Sequence, residues 1–429
     1  MKKTTHLYRK ARYSLSIQLV LTLLCTSGFA TCVARPVNGQ INNDPSVWSK
    51  RVAGSTIHRW PRGRFGDASS APRWNYQLGL LLKGMEAEWQ VNGDQAAFDY
   101  IQQSMDMLVR EDGSIPTYEP KAYSMDDILL GRQLLLLYRV TGQDKYLIAA
   151  RSIRKQLDTQ PRNASGGFWH TQSFPNQMLL DDMYMLAPFL AEYAVTFHEP
   201  KDLADIAQQL ALLEKHTRDP RTGLLYQEWN EPRNEAWVNQ ATGTSASFWG
   251  RGLGWYVIAL VDAIPFYSEH DPDRARLIAI LTRTATGIVR HQNPKTGVWY
   301  EILDKPEAKG NYLESSASGM FTYALVKGVR LGYLPPAFAV NAEHAWQGLL
   351  ATFVKVDSDE AVTITATVKG IDLGSAPSHD GSFQYYTSAP VIDNDPKGIG
   401  AFLLASSEMA RLKAHSKIPV ADQVQPAGH

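Results

Sequence analysis

Cysteine is almost missing from this 429-residue chain: Cys25 and Cys32 are the only two, and both precede residue 35. Disulfides are therefore not expected to brace the body of the protein, and stability has to come from a core. A chain this long, 44% hydrophobic and 10% aromatic, can bury one. An excess of either charge is also missing, with 43 Lys and Arg against 43 Asp and Glu. The basic surface that nucleic acid requires is absent. Long apolar runs are scarce. The run Leu15–Leu24 follows Lys2, Lys3, Arg9, Lys10 and Arg12 and precedes the small residues Gly28, Ala30 and Ala34, which is the pattern of a secretory signal over residues 1–34. That run is shorter than the roughly 20 apolar residues a membrane span needs, and no later segment reaches that length. An exported protein, periplasmic or secreted and without stable membrane insertion, is expected.

Cleavage near Ala30 or Ala34 removes five basic residues and no acidic ones, lowering Lys and Arg from 43 to 38 against 43 acids, a net charge near −5. An anionic substrate then meets general repulsion and needs a local cation to hold it. Cofactor signatures are missing too: there is no Cys/His cluster, no Walker loop, no GxGxxG after a strand and no GxSxG elbow. Neither a metal nor a cofactor is expected.

What the sequence does contain is helical periodicity. WNYQLGLLLKGMEAEW, DQAAFDYIQQSMDML, DDILLGRQLLLLYRV, DKYLIAARSIRKQL and NQMLLDDMYMLAPFLAEYAVTF carry apolar residues at intervals of three and four. Residues 35–65 are polar and broken by Pro and Gly and read as an irregular lead-in, residues 66–415 as one catalytic domain, and 416–429 as a flexible tail. Val/Thr alternation between Ala361 and Val368 predicts one short strand pair or an irregular insert. A turn recurs between the helices, as EDGSIP, NASGGFWH, DPRTGLLYQ and NPKTGVWYE, each with Gly after a helix and apolar or aromatic residues beyond it. Aligned on Gly113, Gly167, Gly223 and Gly297, these turns predict helix hairpins that close into a toroid.

Two acids stand at nearly the same distance beyond their turn glycines, Asp126 after Gly113 and Asp181 after Gly167, and so belong at the same end of such a toroid. Ser124 and Asp127 have the spacing of a capping box, leaving Asp126 unassigned. Asp181 shares a helical face with Met178 and Met185. A carboxyl on an apolar face is costly unless paired or functional, and burial raises its pKa toward that of a general acid. The alternative is a carboxylate paired with a buried Arg or capping a helix. SFWGRGLGWYVIAL sets Arg251 among glycines and aromatics. That is either a sugar site, where small residues admit the ring and a guanidinium clamps a carboxylate, or a tightly packed helix start. His170 and Tyr76 read equally well as core residues.

Taken together, YSMDDILLGRQLLLLYRVTG, GGFWHTQSFPNQMLLDDMYMLAPFLAEYA, SFWGRGLGWYVIALVD, YLESSASGMFTYALVKGVRLGYL and GSFQYYTSAPVIDNDPKGIGAFLLASSE resemble the unsaturated rhamnogalacturonyl hydrolases of glycoside hydrolase family 105, relatives of the unsaturated glucuronyl hydrolases. The resemblance runs from about Trp74 to Glu408. It implies an all-α (α/α)6 barrel acting on the 4,5-unsaturated galacturonic acid that polysaccharide lyases leave at a non-reducing end. It also implies Asp181 as the catalytic acid/base, Asp126 as its assistant, and Tyr76, His170, Arg251 and Trp255 as substrate-binding residues. The implied reaction is hydration of the C4=C5 enol ether. Three positions depart from the family pattern: Leu179 stands where Trp is usual, Asp182 where Gly is usual, and Gln227, in the substrate-binding set, where His is usual. Loss of the Trp and His predicts a wider pocket and relaxed aglycone preference, and Asp182 is expected to add negative charge beside the acid. A non-catalytic sugar-binding toroid or a sugar epimerase on the same barrel are the competing expectations; the first needs neither aspartate.

Overall fold

The computed structural model describes residues 43–65 and 72–415, so the expected signal and tail lie outside the described residues. Among those described there are thirteen α-helices, twelve of which alternate between two rings. The chain runs α1 (Pro45–Arg59), α2 (Tyr76–Asn92), α3 (Gln95–Asp106), α4 (Gly131–Thr141), α5 (Asp144–Gln156), α6 (Leu180–Phe197) and α7 (Pro200–Thr217). It continues through α8 (Gly250–Ala263), α9 (Pro272–Arg290), α10 (Ser315–Arg330), α11 (Phe338–Phe353), the short α12 (Phe383–Ser388) and α13 (Pro396–His415). Helices α2, α4, α6, α8, α10 and α13 each touch the next, and α13 returns to α2, closing an inner ring. Helices α1, α3, α5, α7, α9 and α11 back it from outside. This is the (α/α)6 barrel the sequence led us to expect.

Burial follows the rings. Every residue of α8 is buried, and α6 and α10 are buried on nearly all sides, as an inner helix squeezed between a core and an outer partner must be. Outer helices such as α3 and α9 keep one apolar stripe and one wet face. The helix ends are set by local chemistry. The Asn75 side chain accepts from the Leu78 N–H at the start of α2, Asp94 accepts from Ala96 N–H before α3, and Gly93 and Gly142 close α2 and α4 with left-handed φ of 65° and 69°.

Residues 45–59 are helical where the sequence suggested an irregular lead-in. Asp44 caps the first turn, Pro45 occupies the first helical position, and Trp48, Val52, Ala53 and Thr56 form the buried face. Helix α1 packs on α13 and α2, so the barrel begins here and not at residue 66. The capping box is also corrected: Ser124 makes no side-chain cap, and Met125–Ile128 forms a 3-10 turn ahead of α4. The NQML prefix of the fifth helical segment pairs as strand β1 (Gln177–Leu179) with β2 (Glu228–Asn230). Two strand pairs occupy the Val/Thr-rich insert instead of one: β3 (Val354–Val356) with β4 (Val362–Ile364), and β5 (Thr367–Val368) with β6 (Val391–Ile392).

The recurrent turns all follow outer helices. In each, a residue beyond the helix end donates its N–H across the turn, Arg110 to Ser114, Asn163 to Gly167, Asp219 to Leu224 and Asn293 to Val298. The residue before each acceptor carries the positive φ: Gly113, Gly166, Gly223 and Gly297, at 80°, 87°, 78° and 76°. Gly166, not Gly167, is therefore the equivalent glycine, and the alignment shifts by one residue. Outer-to-inner connections gather at one end of the barrel, where the inner helices begin.

Below that end a buried ion network spans the ring. Asp262 on α8 accepts from Arg132 of α4 at 2.9 Å, from Lys327 of α10 at 2.6 Å and from Tyr323 of α10 at 2.5 Å, while Arg132 also bonds Tyr184 of α6 at 3.0 Å. Burial alone would push the Asp262 carboxyl up, but Lys327, Arg132 and Lys83 outweigh it and hold the group well below the usual carboxylate range. Asp262→Asn should cost about 3–5 kcal/mol, since it strands two buried cations. Because the native pKa is depressed, the contribution is whole above the unfolded value of about 3.9 and drains as pH falls below it. Urea melts at pH 7 and pH 3 test both statements: wild type and variant should differ strongly at pH 7, and the gap should narrow at pH 3 without closing, because the native carboxyl is still ionised there.

Candidate active site

At the N-terminal end of the inner ring lies a cavity of about 430 Å³ lined by Tyr76, Asp126, His170, Phe174, Gln177, Leu179, Asp181 and Glu228, with the segment 369–373 and Pro390 along one side. Tyr76 opens α2, Asp126 sits in the turn before α4, and Asp181 is in the first turn of α6. Inner-helix dipoles thus point their positive ends at the cavity, which favours an anion there. Of the seven residues proposed from sequence, Tyr76, Asp126, His170 and Asp181 line the cavity and Arg251, Trp255 and Gln227 do not.

Asp181 is enclosed yet faces the cavity. Its Oδ2 is buried without a hydrogen-bond partner, and a Cβ at Gly252 on α8 would stand 3.5 Å from that oxygen. Burial first, then the neighbouring Asp182 and Asp126, push its carboxyl up to about 7 against the opposing charges of Arg251 and His170. Asp126 is also raised, chiefly by burial, with His170 opposing and Asp182 adding. Asp127 does not cap; burial and Asp126 raise it to about 7.

Asp182 adds negative charge beside Asp181, as expected, and is also held on both of its oxygens. Its Oδ2 accepts from the Leu179 N–H at 3.0 Å, capping α6, and its Oδ1 meets His170 Nδ1 at 2.7 Å. Burial works against an imidazolium at His170, but Asp182, Asp126 and Glu228 together raise it to about 10. A cation is thereby fixed in the cavity wall at neutral pH.

Arg251 lies behind the cavity in the first turn of α8. It donates to the Val368 carbonyl and to Ser316 Oγ, sits 3.9 Å from Glu314 and stacks over Trp249 at 4.9 Å. The surrounding glycines serve packing: a Cβ at Gly250 would meet Ala317 at 3.1 Å and one at Gly254 would meet Met320 at 2.8 Å, both on α10. Of the two readings of that motif, the tightly packed helix start describes its contacts. Trp255 is buried one layer below Tyr76, ring centroids 6.2 Å apart, and rests on Tyr184 at 5.4 Å. Gln227 is buried between Tyr386, whose hydroxyl donates to its Oε1, and Glu228.

Sequence reasoning missed Glu228, Gln177 and Lys369. Leu179 pairs with Glu228 across the β1–β2 ladder, so their side chains share the cavity face. Attention had gone to the adjacent Gln227, and the available signal was period-two alternation through QEWN. Among the described residues no group of three or more His, Cys, Asp or Glu side chains is arranged to hold a metal ion, and no helix is long and apolar enough to cross a membrane.

With this geometry in hand, known proteins offer a comparison. The family model of Glycosyl Hydrolase Family 88 matches residues 48–413. A glycoside hydrolase from family 105 of C. acetobutylicum ATCC 824 superposes with a TM-score of 0.81 at 40% identity, covering 84% of this chain and 98% of that one. The unsaturated rhamnogalacturonyl hydrolase YesR of Bacillus subtilis is 27% identical over 265 residues, 60% of this chain and 72% of that protein. An unsaturated glucuronyl hydrolase from Bacillus sp. GL1 shares the fold, with a TM-score of 0.63 at 14% identity over 86% of this chain and 97% of that one.

The His170–Asp182 pair generates a direct test. In wild type the His170 imidazole should remain protonated through pH 8, and Asp182→Asn should return it toward the ordinary value of about 6.5. Imidazole nitrogen NMR shifts followed against pH report this without reference to turnover. An unchanged titration in the variant would show that Asp182 does not hold the charge.

Proposed function

Because the chain belongs to the glycoside hydrolases of families 88 and 105, we propose that its cavity removes 4,5-unsaturated galacturonic acid from the non-reducing end of lyase-generated rhamnogalacturonan fragments. The observation that carries the reading is Asp181: a cavity carboxyl with one buried, unpartnered oxygen and a pKa pushed up to about 7. Such a group holds a proton at neutral pH and has it to give. YesR's name, an unsaturated rhamnogalacturonyl hydrolase, supports the substrate class.

In the proposed reaction Asp181 protonates C4 of the enol ether, and positive charge develops at C5 and the ring oxygen. Water adds to C5, and the ionised Asp181 takes the proton the water gives up. The hemiketal then opens and the aglycone leaves, so the carboxyl ends as it began. Asp126, in the same wall, orients the water. One acid that gives and retakes a proton suffices here, unlike the flanking pair of ordinary glycosidases. His170 and Lys369 bring positive charge to the cavity wall, and Arg251 lies close enough behind it to act on both Asp181 and Tyr76. The uronate carboxylate is oriented toward that end. Leu179 lines the cavity where a larger aromatic would narrow it, which supports a broad aglycone preference. Export is part of the same proposal and rests on the basic and apolar leader.

Loss of the ultraviolet absorbance of the conjugated uronate, on incubation with lyase-made oligosaccharides, tests the activity directly; an unchanged spectrum rejects it. Asp181→Asn should lose at least about a hundredfold in kcat, given the 10²–10⁴-fold that general acid catalysis supplies. The protonated acid is the active form, so wild-type kcat should decline as pH rises through about 7. Arg251→Lys should weaken affinity for the unsaturated uronide about tenfold, because a point charge cannot keep the guanidinium's contacts with Val368, Ser316 and Glu314 and so loosens the wall behind Asp181 and Tyr76. Calorimetric titration into the Asp181→Asn background measures that affinity without turnover, and equal affinities would remove Arg251 from the binding site.

A further inference from the structure

The cavity wall contains a third carboxyl that the mechanism above does not use. Glu228 is 1% exposed and lines the cavity beside Leu179. Its two oxygens are not equivalent. Oε1 accepts from Gln227 Nε2 at 3.0 Å, and the Gln227 carbonyl oxygen in turn accepts from the Tyr386 hydroxyl at 2.5 Å. Oε2 is buried and has no partner. Tyr386 is itself fully buried on α12, inside the insert that walls the cavity.

This relay fixes direction. With the Tyr386 hydroxyl donating to its oxygen, the Gln227 amide turns its NH2 to Glu228. Oε1 of Glu228 is thus held as the acceptor, and the remaining oxygen is the one free to carry a proton and present it to the cavity. An ionised carboxylate with a buried, unpaired oxygen, beside two further carboxyls and an anionic sugar, would be strongly disfavoured. A neutral carboxyl in the same place is a donor waiting for an acceptor.

Resting on the function proposed above, we infer that Glu228 is a substrate-recognition residue whose Oε2–H donates a hydrogen bond to an oxygen of the bound sugar, with Gln227 and Tyr386 as its positioning residues. Burial, reinforced by Asp181, Asp182 and Asp372 and opposed by His170, raises the Glu228 carboxyl well above its ordinary range, in keeping with a neutral donor. The same relay gives Gln227 a role at one remove from the sugar.

Steady-state kinetics on an unsaturated disaccharide, with thermal melts as folding controls, test the inference. Glu228→Gln presents an NH2 where the O–H stood and should lose clearly less in kcat/KM than the donor-less Glu228→Met. Glu228→Met fills the same volume without a donor and should raise KM about tenfold while kcat changes little, the loss that follows when a partner's buried polar group goes unpaired. Tyr386→Phe frees the Gln227 amide to rotate and should raise KM about threefold to tenfold. Combined with Glu228→Met it should add nothing, because both act through one hydrogen bond. Unchanged KM in Glu228→Met, or full additivity with Tyr386→Phe, overturns the inference while wild-type turnover leaves the activity standing. A loss of kcat beyond a hundredfold in Glu228→Gln also overturns it, since that marks an ionising catalytic group. Wild type without turnover fails both this inference and the function it rests on.

Discussion

The carboxylate of Asp262 is the interaction on which the rest of the barrel hangs. It draws Arg132, Tyr323 and Lys327 to one point, with Tyr184 at 3.4 Å, and so joins α4, α6, α8 and α10 through the axis of the ring. Four helices cannot slide independently when they share one desolvated charge. The consequence reaches the cavity by contact. Tyr184 is held by Arg132, Trp255 lies on Tyr184, and Tyr76, which lines the cavity, lies on Trp255. An ionic plug, two aromatic layers and the reactive end therefore form a single column.

The two ends of that column treat carboxyls in opposite ways. At Asp262 three cations surround one acid and keep it charged. In the cavity, Asp126, Asp181 and Glu228 share one wall with the imidazolium of His170, which is already committed to Asp182. Burial there outweighs the neighbouring cations, so all three carboxyls are raised above their ordinary range, Asp181 to about 7. Carboxyls so raised soften the repulsion an anionic sugar meets in this wall, and a proton held near neutrality at Asp181 is what the proposed hydration needs.

Much of this was legible in the chain, and what was missed has physical reasons. Periodicity located α2, α3 and α5 closely, and the boundaries of the first two are written in Asn75, Gly93 and Asp94. The first helix was overlooked although Asp44 and Pro45 form an N-cap and first-turn pair, because its polar outer face dilutes the apolar stripe of Trp48, Val52 and Thr56. The turn glycine was misassigned between Gly166 and Gly167, since adjacent glycines look alike until φ distinguishes them. Asp181 could be singled out by its apolar neighbours. The engagement of Asp182 with His170 could not, because it joins a loop to a helix across a distance that no local spacing records. Arg251 and Trp255 illustrate the same limit, for a motif reveals which residues cluster but not which layer of a barrel they occupy.

The neighbours Gln227 and Glu228 show how strongly a three-residue ladder can decide function. Side chains alternate across a strand, so in β2 the register Leu179 to Glu228 turns Glu228 toward the cavity and leaves Gln227 behind it. A slip of one residue would exchange them, placing an amide in the wall and burying a carboxyl with no route to the sugar. Two features resist that slip. Leu180 donates its N–H to the Gln227 carbonyl at 3.0 Å, continuing the ladder directly into α6, and Asp182 fixes the Leu179 N–H from the other side. The cap that starts α6 and the strand register are thus one structure. Asp181, the proposed proton donor, lies between the two points that pin it.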